Sequence, residues 1–116
     1  QVEKVIWAGV ESSPWYERAQ KYLPKGPGAV LGFTLKDATL EQARDFVDAL
    51  KLHSNVANIG DVRSLVIHPA STTHSQLSTE ELEKIGVYPN FIRLAVGIEN
   101  IDDILADLQL GFDTLF

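Results

Sequence analysis

The sequence predicts an α+β domain in which helices pack on one face of a small sheet. Segments with the pattern of strands and segments with the pattern of helices follow one another at short spacing, in the order βαβαββαβα. Apolar residues make up 45% of the 116 residues, which allows a real core without a disulfide or a metal. No stretch is long enough to be a linker, so residues 1–116 are expected to form a single domain.

The first half of the chain contains two predicted strands, each followed by a helix. Residues 2–10 and 29–35 are rich in β-branched and aromatic side chains, which is typical of strands. The first helix is expected to start at residues 12–14, Ser-Ser-Pro, with a hydroxyl N-cap and proline at the first helical position, and to stop at residues 24–28. Thr39 and Gln42 form a capping-box pattern before the second helix. The apolar stripe of that helix consists of Leu40, Ala43, Phe46, Val47 and Leu50.

The second half contains two helices and three strands, and the strands are predicted at residues 54–59, 63–67 and 91–96. Ser78 and Glu81 form a capping box before a short helix that ends at Gly86. Asn100 is expected to cap the last helix, whose first turn is acidic and therefore suits the positive helix end. Its predicted buried stripe consists of Ile101, Ile104, Leu105, Leu108 and Phe112.

Composition and charge exclude several classes of function. The chain has 16 acidic and 10 basic residues, a net charge of −6, and an acidic surface repels phosphate backbones, so no nucleic-acid partner is expected. The apolar runs are too short to cross a bilayer, so no membrane partner is expected, and a cytoplasmic location is the default. The absence of cysteine excludes thiolate nucleophiles, iron–sulfur clusters and cysteine-bound zinc.

Arg93 is the first candidate for a functional residue. It interrupts an apolar strand and, by the period of two, points away from Ile92 and Leu94. A guanidinium is shaped to bind a carboxylate through two parallel hydrogen bonds. The alternative is a structural ion pair with one of the acidic residues of the chain.

A polar loop at residues 68–75, His-Pro-Ala-Ser-Thr-Thr-His-Ser, is the second candidate. Six of its eight side chains can form hydrogen bonds, and Pro69 stiffens the backbone. Such a loop either positions a ligand or is a solvated turn that caps the next helix, and the sequence leaves both open. Asn58, two residues before Gly60, likewise either faces a ligand or satisfies its own turn.

The sequence offers little support for a metal or for a hydrolase triad. His68 and His74 have neither the spacing of a helical zinc pair nor an obvious third ligand, so no metal is expected. Ser71, His74 and Asp61 supply the residue types of a triad, but the glycine pattern of a nucleophile elbow is missing.

Two stretches taken together resemble a known family. Residues 58–75, NIGDVRSLVIHPASTTHS, closely resemble a signature near the C-terminus of the cysteine/methionine-metabolism enzymes that use pyridoxal 5′-phosphate (PLP). Residues 93–99, RLAVGIE, resemble the signature that follows it, and residues 11–16 and 100–104 look closest to the O-acetylhomoserine sulfhydrylase (O-acetylhomoserine aminocarboxypropyltransferase) branch. The resemblance implies the C-terminal domain of a fold-type I PLP-dependent transferase, with a small, mostly antiparallel sheet.

The resemblance also implies substrate-binding roles for three residues. Arg93 matches the arginine that binds the α-carboxylate of the amino-acid substrate, Asn58 the position that assists at that carboxylate, and Thr73 a threonine that lines the active site. A rigid arginine suits this role, because such an enzyme must hold the substrate Cα–H bond perpendicular to the cofactor ring. Ile67 departs from relatives with Gln or Glu before the His-Pro pair, which favours a sulfhydrylase over a cystathionine synthase or lyase.

The resemblance further implies that the chain is part of a longer transferase, which makes homocysteine from O-acetylhomoserine and sulfide. In the family that it resembles, PLP is held by a larger preceding domain, and none of the six lysines here has the Ser/Thr-rich context of a PLP lysine. The chain alone is therefore expected to hold no cofactor and no catalytic residue, and the lack of methionine agrees with an excised piece. The parent is expected to be a homo-oligomer, a tetramer. A free-standing amino-acid-binding regulatory module and an interaction domain with acidic helices remain as alternatives.

Overall fold

The computed structural model describes residues 1–115 as a five-stranded sheet with four helices. The strands are β1 (Val2–Ile6), β2 (Val30–Leu35), β3 (Ser54–Asn55), β4 (Leu65–Ile67) and β5 (Phe91–Ala95). The helices are α1 (Tyr16–Tyr22), α2 (Leu40–Asp48), α3 (Thr79–Lys84) and α4 (Ile101–Leu115). A 3₁₀ turn, Pro69–Ser71, follows β4.

The strand order in the sheet is β1-β2-β5-β4-β3. β2 pairs with β1 and β5, and β5 pairs with β4, all three antiparallel, whereas β3 pairs in parallel with β4 at one edge. α2 and α4 contact each other and pack on one face of the sheet. The structure thus confirms the predicted α+β fold, with a small, mostly antiparallel sheet and helices on one face.

The core lies between this face of the sheet and the two helices. Alternate residues of a strand share a face, so Phe33 of β2 and Ile92 and Leu94 of β5 all point towards the helices. Phe46 of α2 is fully buried, and its ring centroid lies 5.9 Å from that of Phe33 and 5.0 Å from that of Phe112 on α4. On the opposite face of the sheet, Thr34, Leu65 and Ile67 are buried as well.

Three predicted helix starts are confirmed. Thr39 and Gln42 at α2, and Ser78 and Glu81 at α3, each form a reciprocal pair in which the side chain of one residue binds the backbone N–H of the other. At α4, the Oδ1 atom of Asn100 accepts the N–H of the second helical residue at 2.8 Å. These contacts satisfy N–H groups that have no partner inside the helix.

The predicted start of α1 was wrong. The helix begins at Tyr16, with Trp15 as its N-cap, and not at Pro14. The Oγ atom of Ser13 accepts the N–H of Trp15 at 3.2 Å, and the Ser13 carbonyl accepts the N–H of Tyr16 at 3.2 Å. Ser13 therefore closes a turn in front of the helix instead of capping it.

Three strands are shorter than predicted by two residues or more. β1 ends at Ile6 and is followed by a turn, although the pattern of the sequence continues to residue 10. β3 ends at Asn55, because it pairs only with the first two residues of the short strand β4. β4 begins after Ser64, since the N–H of Ser64 is bound by the carboxylate of Glu99.

Two residues of the predicted α4 stripe are not buried. Ile101 and Leu105 are 60% and 55% exposed. They line an apolar groove together with Val2 and Val5 of β1. The stripe is therefore wider than the part of the sheet that covers it.

Candidate functional site

Arg93 lies in the middle of β5, on the sheet face opposite to α2 and α4. It pairs in register with Gly32 of β2 and with Ile67 of β4. The ring of Phe91 lies over Gly32 and fills the space that a Cβ would need there. An aromatic ring therefore occupies the position beside Arg93 on this face.

The guanidinium of Arg93 crosses β4 and reaches the residues that follow β3. Its Nη2 donates to the carbonyl oxygen of Ala57 at 2.8 Å, and the side chain is half-buried. Among residues 1–115, no carboxylate lies within salt-bridge distance of Arg93. Within the described part of the chain, Arg93 therefore does not form the internal ion pair that the sequence had left open.

The two other predicted substrate-binding residues differ in their relation to Arg93. Asn58 directly follows Ala57, the residue that accepts the Arg93 hydrogen bond, and its side chain is exposed. Thr73 lies just beyond the 3₁₀ turn, which packs against β5. Its Oγ1 is 2.9 Å from the Nδ1 of His74, and no hydrogen bond of the described residues joins it to Arg93.

A carboxylate holds the chain at the start of β4. The buried Ser64 donates its N–H to Glu99 Oε1 and Oε2 at 3.1 and 2.8 Å and its hydroxyl to Oε1 at 2.9 Å. The Ser64 N–H, more than any other group, lowers the pKa of Glu99. The N–H of Gly97 donates to Ser64 Oγ at 2.9 Å. Sequence reasoning assigned no role to Ser64 or Glu99, although both lie within the two quoted signatures.

Most hydrogen bonds of the polar loop join residues within the loop. His68 is buried, with Nδ1 2.8 Å from Ser71 Oγ and Nε2 2.6 Å from the carbonyl oxygen of Pro89, and burial lowers its pKa. The triad of Ser71, His74 and Asp61 does not form, since Ser71 pairs with His68 and Asp61 accepts a backbone N–H of its own turn at 3.0 Å. Within residues 1–115, no group of three His, Asp or Glu side chains is placed to hold a metal ion.

The lysines do not form a site for PLP. All six are exposed, whereas a lysine that binds this cofactor needs a pocket that lowers its pKa and surrounds the ring. The part of the chain that the structure describes therefore does not fit PLP. Of the helices formed by these residues, none is long and apolar enough to cross a membrane.

These features define an α+β domain that carries, on the sheet face opposite to α2 and α4, a half-buried arginine without an acidic partner among residues 1–115. Residues 1–113 match the family model described as Cys/Met metabolism PLP-dependent enzyme. The chain belongs to this family, as the two signatures had implied.

Relatives within the family point to one branch. The chain is 56% identical over 112 residues to the O-acetyl-L-homoserine sulfhydrylase of Corynebacterium glutamicum, a match that covers 97% of the chain and 25% of that protein. It is 51% identical over 113 residues to the homocysteine synthase of Schizosaccharomyces pombe, covering 97% and 26%. The chain spans about a quarter of the length of the curated relatives that it matches.

A solved structure shows the same fold. The chain superposes on an O-acetylhomoserine (thiol)-lyase from Campylobacter jejuni with a TM-score of 0.85 and 42% identity, over 97% of the chain and 26% of that protein. That protein carries N′-pyridoxyl-lysine-5′-monophosphate at position 205. The likeness therefore extends to a protein in which the cofactor is seen on a lysine.

Proposed function

We propose that this chain is the C-terminal domain of a PLP-dependent transferase that makes homocysteine from O-acetylhomoserine and sulfide. Its role is to bind the α-carboxylate of the amino-acid substrate through Arg93, assisted by Asn58 and Thr73. The observation that carries the proposal is a half-buried guanidinium on β5 that has no acidic partner among residues 1–115, in a chain of net charge −6.

The geometry around Arg93 supports this role. The single hydrogen bond to Ala57 fixes one edge of the guanidinium and leaves other N–H groups available for an external acceptor. A carboxylate that accepts two of them forms a bidentate pair, which fixes both the distance and the plane of the substrate. Asn58 is placed one residue from the Ala57 carbonyl and is exposed, so its amide is free to contribute at the same group.

Ile67 supports the choice of reaction. It is directly paired with Arg93 and shares its face of the sheet, so its side chain lies beside the proposed carboxylate site. An apolar side chain there offers no hydrogen bond to a second amino-acid moiety. A small nucleophile such as sulfide needs none.

The rest of the enzyme is proposed to supply PLP, which provides the electron sink for the reaction when bound. We also propose that the enzyme is a cytoplasmic homotetramer that uses a small-molecule amino-acid substrate. Light scattering of the purified full-length enzyme measures its subunit number.

Steady-state kinetics of the full-length enzyme test the carboxylate site. Arg93→Ala is expected to lower kcat/KM for O-acetylhomoserine by at least about 100-fold, or about 3 kcal/mol, on the scale of a lost charge pair. The matched control is Arg44→Ala, an exposed arginine on α2, which packs on the other face of the sheet. Equal losses in the two variants would refute the role of Arg93. Binding of the amino acid by residues 1–116 alone, abolished by Arg93→Ala, would instead support a free-standing module.

A further inference from the structure

The loop that accepts the Arg93 hydrogen bond is not held by packing. Every side chain from residue 55 to residue 63 is exposed, so this loop lacks the buried apolar contacts that fix most backbone positions. It begins where β3 ends, and it returns to the sheet at Ser64, before β4. Its position therefore depends on the polar contacts at its two ends.

The returning end of the loop is clamped to the residues after β5. Glu99 accepts the N–H and the hydroxyl of Ser64, and the Gly97 N–H completes a ring of contacts through Ser64 Oγ. The N–H of Ile98 donates to the Val62 carbonyl at 2.9 Å. We call Ser64, Gly97 and Glu99 the clamp.

Gly97 is required for the clamp to close. A Cβ at this position would meet the Val62 carbonyl oxygen and would lie 2.6 Å from Oε1 of Glu99 and 2.5 Å from the carbonyl carbon of Arg63. The two backbone segments thus approach more closely than any other residue type allows. Any side chain at Gly97 has to push the loop away from β5.

We propose that Glu99 is a positioning residue for the substrate carboxylate. Its carboxylate holds the loop that presents the Ala57 carbonyl to Arg93, and this carbonyl sets the direction of the guanidinium. The proposal rests on the proposed function of Arg93. Glu99 does not touch the substrate in it.

The physical reason is the length of the arginine side chain. A guanidinium on several rotatable bonds binds a carboxylate well only when another contact holds it in place beforehand. Arg93 has one such hydrogen bond, to a carbonyl on an exposed loop. A misplacement of about 1 Å at a reacting group costs on the order of 100-fold in rate, so a shift of the loop is expected to be measurable.

A double-mutant cycle in the PLP-bound full-length enzyme separates positioning from a purely structural role. Glu99→Gln is expected to raise KM for O-acetylhomoserine about 10-fold, the scale of one hydrogen bond to a charged group, with kcat changed less than about 3-fold. In the Arg93→Ala background the same substitution is expected to change KM less than about 2-fold, because the group that it positions is gone. The full 10-fold loss in that background would overturn the proposal.

The chain offers a matched control and two further variants. Glu81→Gln alters a glutamate that also binds a serine N–H, Ser78 in the α3 cap, and is expected to leave KM unchanged. Gly97→Ala keeps every hydrogen-bonding group of the clamp but forces its two backbone segments apart. This variant is therefore expected to raise KM in the same way as Glu99→Gln. The amount of bound PLP and the Tm report whether Glu99→Gln reduces folding. If it does, Glu99→Asp is the milder change, because it retains the charge.

Failure of this proposal is distinct from failure of the proposed function. If Arg93→Ala leaves kcat/KM unchanged, the carboxylate site itself is wrong. If Arg93→Ala has its expected effect while Glu99→Gln and Gly97→Ala leave KM unchanged, only the positioning role is refuted.

Discussion

Asp107 connects the segment after α2 to α4, and its loss is expected to destabilise the fold. It is 5% exposed. Oδ1 accepts the N–H groups of Lys51 and Leu52 at 2.7 and 2.9 Å, and Oδ2 accepts the His53 N–H at 2.9 Å and lies 2.7 Å from His53 Nδ1. Asp107→Asn removes the charge and turns one acceptor oxygen into a donor that faces N–H groups.

The size of the effect follows from the pKa of Asp107. Burial raises this pKa, but the N–H groups of His53 and Leu52, the His53 ring and the Lys51 N–H outweigh burial and lower it from 3.8 to about 2. At about 1.36 kcal/mol per pKa unit, the fold favours the ionised form by about 2.5 kcal/mol. Because the pKa is lowered, this contribution is present at neutral pH, falls to about half near pH 3, and is lost as the pH drops through the folded pKa of about 2.

Urea unfolding at pH 7 and at pH 3 measures this contribution. Asp107→Asn is expected to lower the free energy of unfolding by about 2.5 kcal/mol at pH 7 and by clearly less at pH 3. The control is Asp113→Asn, the same change at an exposed residue of α4 that accepts a hydrogen bond from Gln109, with an expected loss below about 0.5 kcal/mol. Equal midpoints for the two variants at pH 7, or a pH-independent difference between wild type and Asp107→Asn, would refute the reasoning.

Two further predictions concern the core and the polar loop. Gly111→Ala is expected to destabilise the chain, because the new Cβ would lie 2.6 Å from the buried ring of Phe46. This clash is expected to outweigh the better helix propensity of alanine, which is about 1 kcal/mol. A higher urea midpoint of the variant would contradict this. Burial lowers the pKa of His68, so the fold disfavours the protonated ring. The free energy of unfolding is therefore expected to fall as the pH drops below about 6.5, the pKa of a histidine in the unfolded chain. In ¹⁵N NMR the proton should lie on Nε2, which donates to the carbonyl of Pro89 while Nδ1 accepts from Ser71, and a neutral ring with its proton on Nδ1 would exclude this arrangement.

The features that the sequence predicted well are those whose signal is local. The capping boxes at Thr39 and Ser78 each involve residues three positions apart, so the pattern contains both partners of the contact. The direction of Arg93 followed from the period of a strand in the same way. The predicted layers were correct for this reason, because each helix and strand shows its apolar side within a few residues.

The contacts that the sequence did not predict join residues that are distant in the chain. Asp107 and His53 are 54 positions apart, and Ser64 and Glu99 are 35 apart. Neither pair has a spacing that repeats, so no pattern indicates that the residues meet. A weak signal existed for Asp107, which lies on the buried side of α4, three positions after Ile104. An acidic residue on that side has to find donors elsewhere in the fold.

The contacts of the acidic residues explain why Arg93 has no acidic partner among residues 1–115. The carboxylates nearest in sequence to the site, those of Asp61 and Glu99, bind backbone N–H groups of the same loop, and Asp107 and Glu81 bind backbone N–H groups elsewhere. A carboxylate that already accepts N–H groups gains less from turning towards a guanidinium, and for Glu99 and Asp107 these N–H groups lower the pKa. The same contacts that stiffen the loop therefore leave Arg93 uncompensated. On the proposed function, the negative charge that completes this site is the one that the substrate brings.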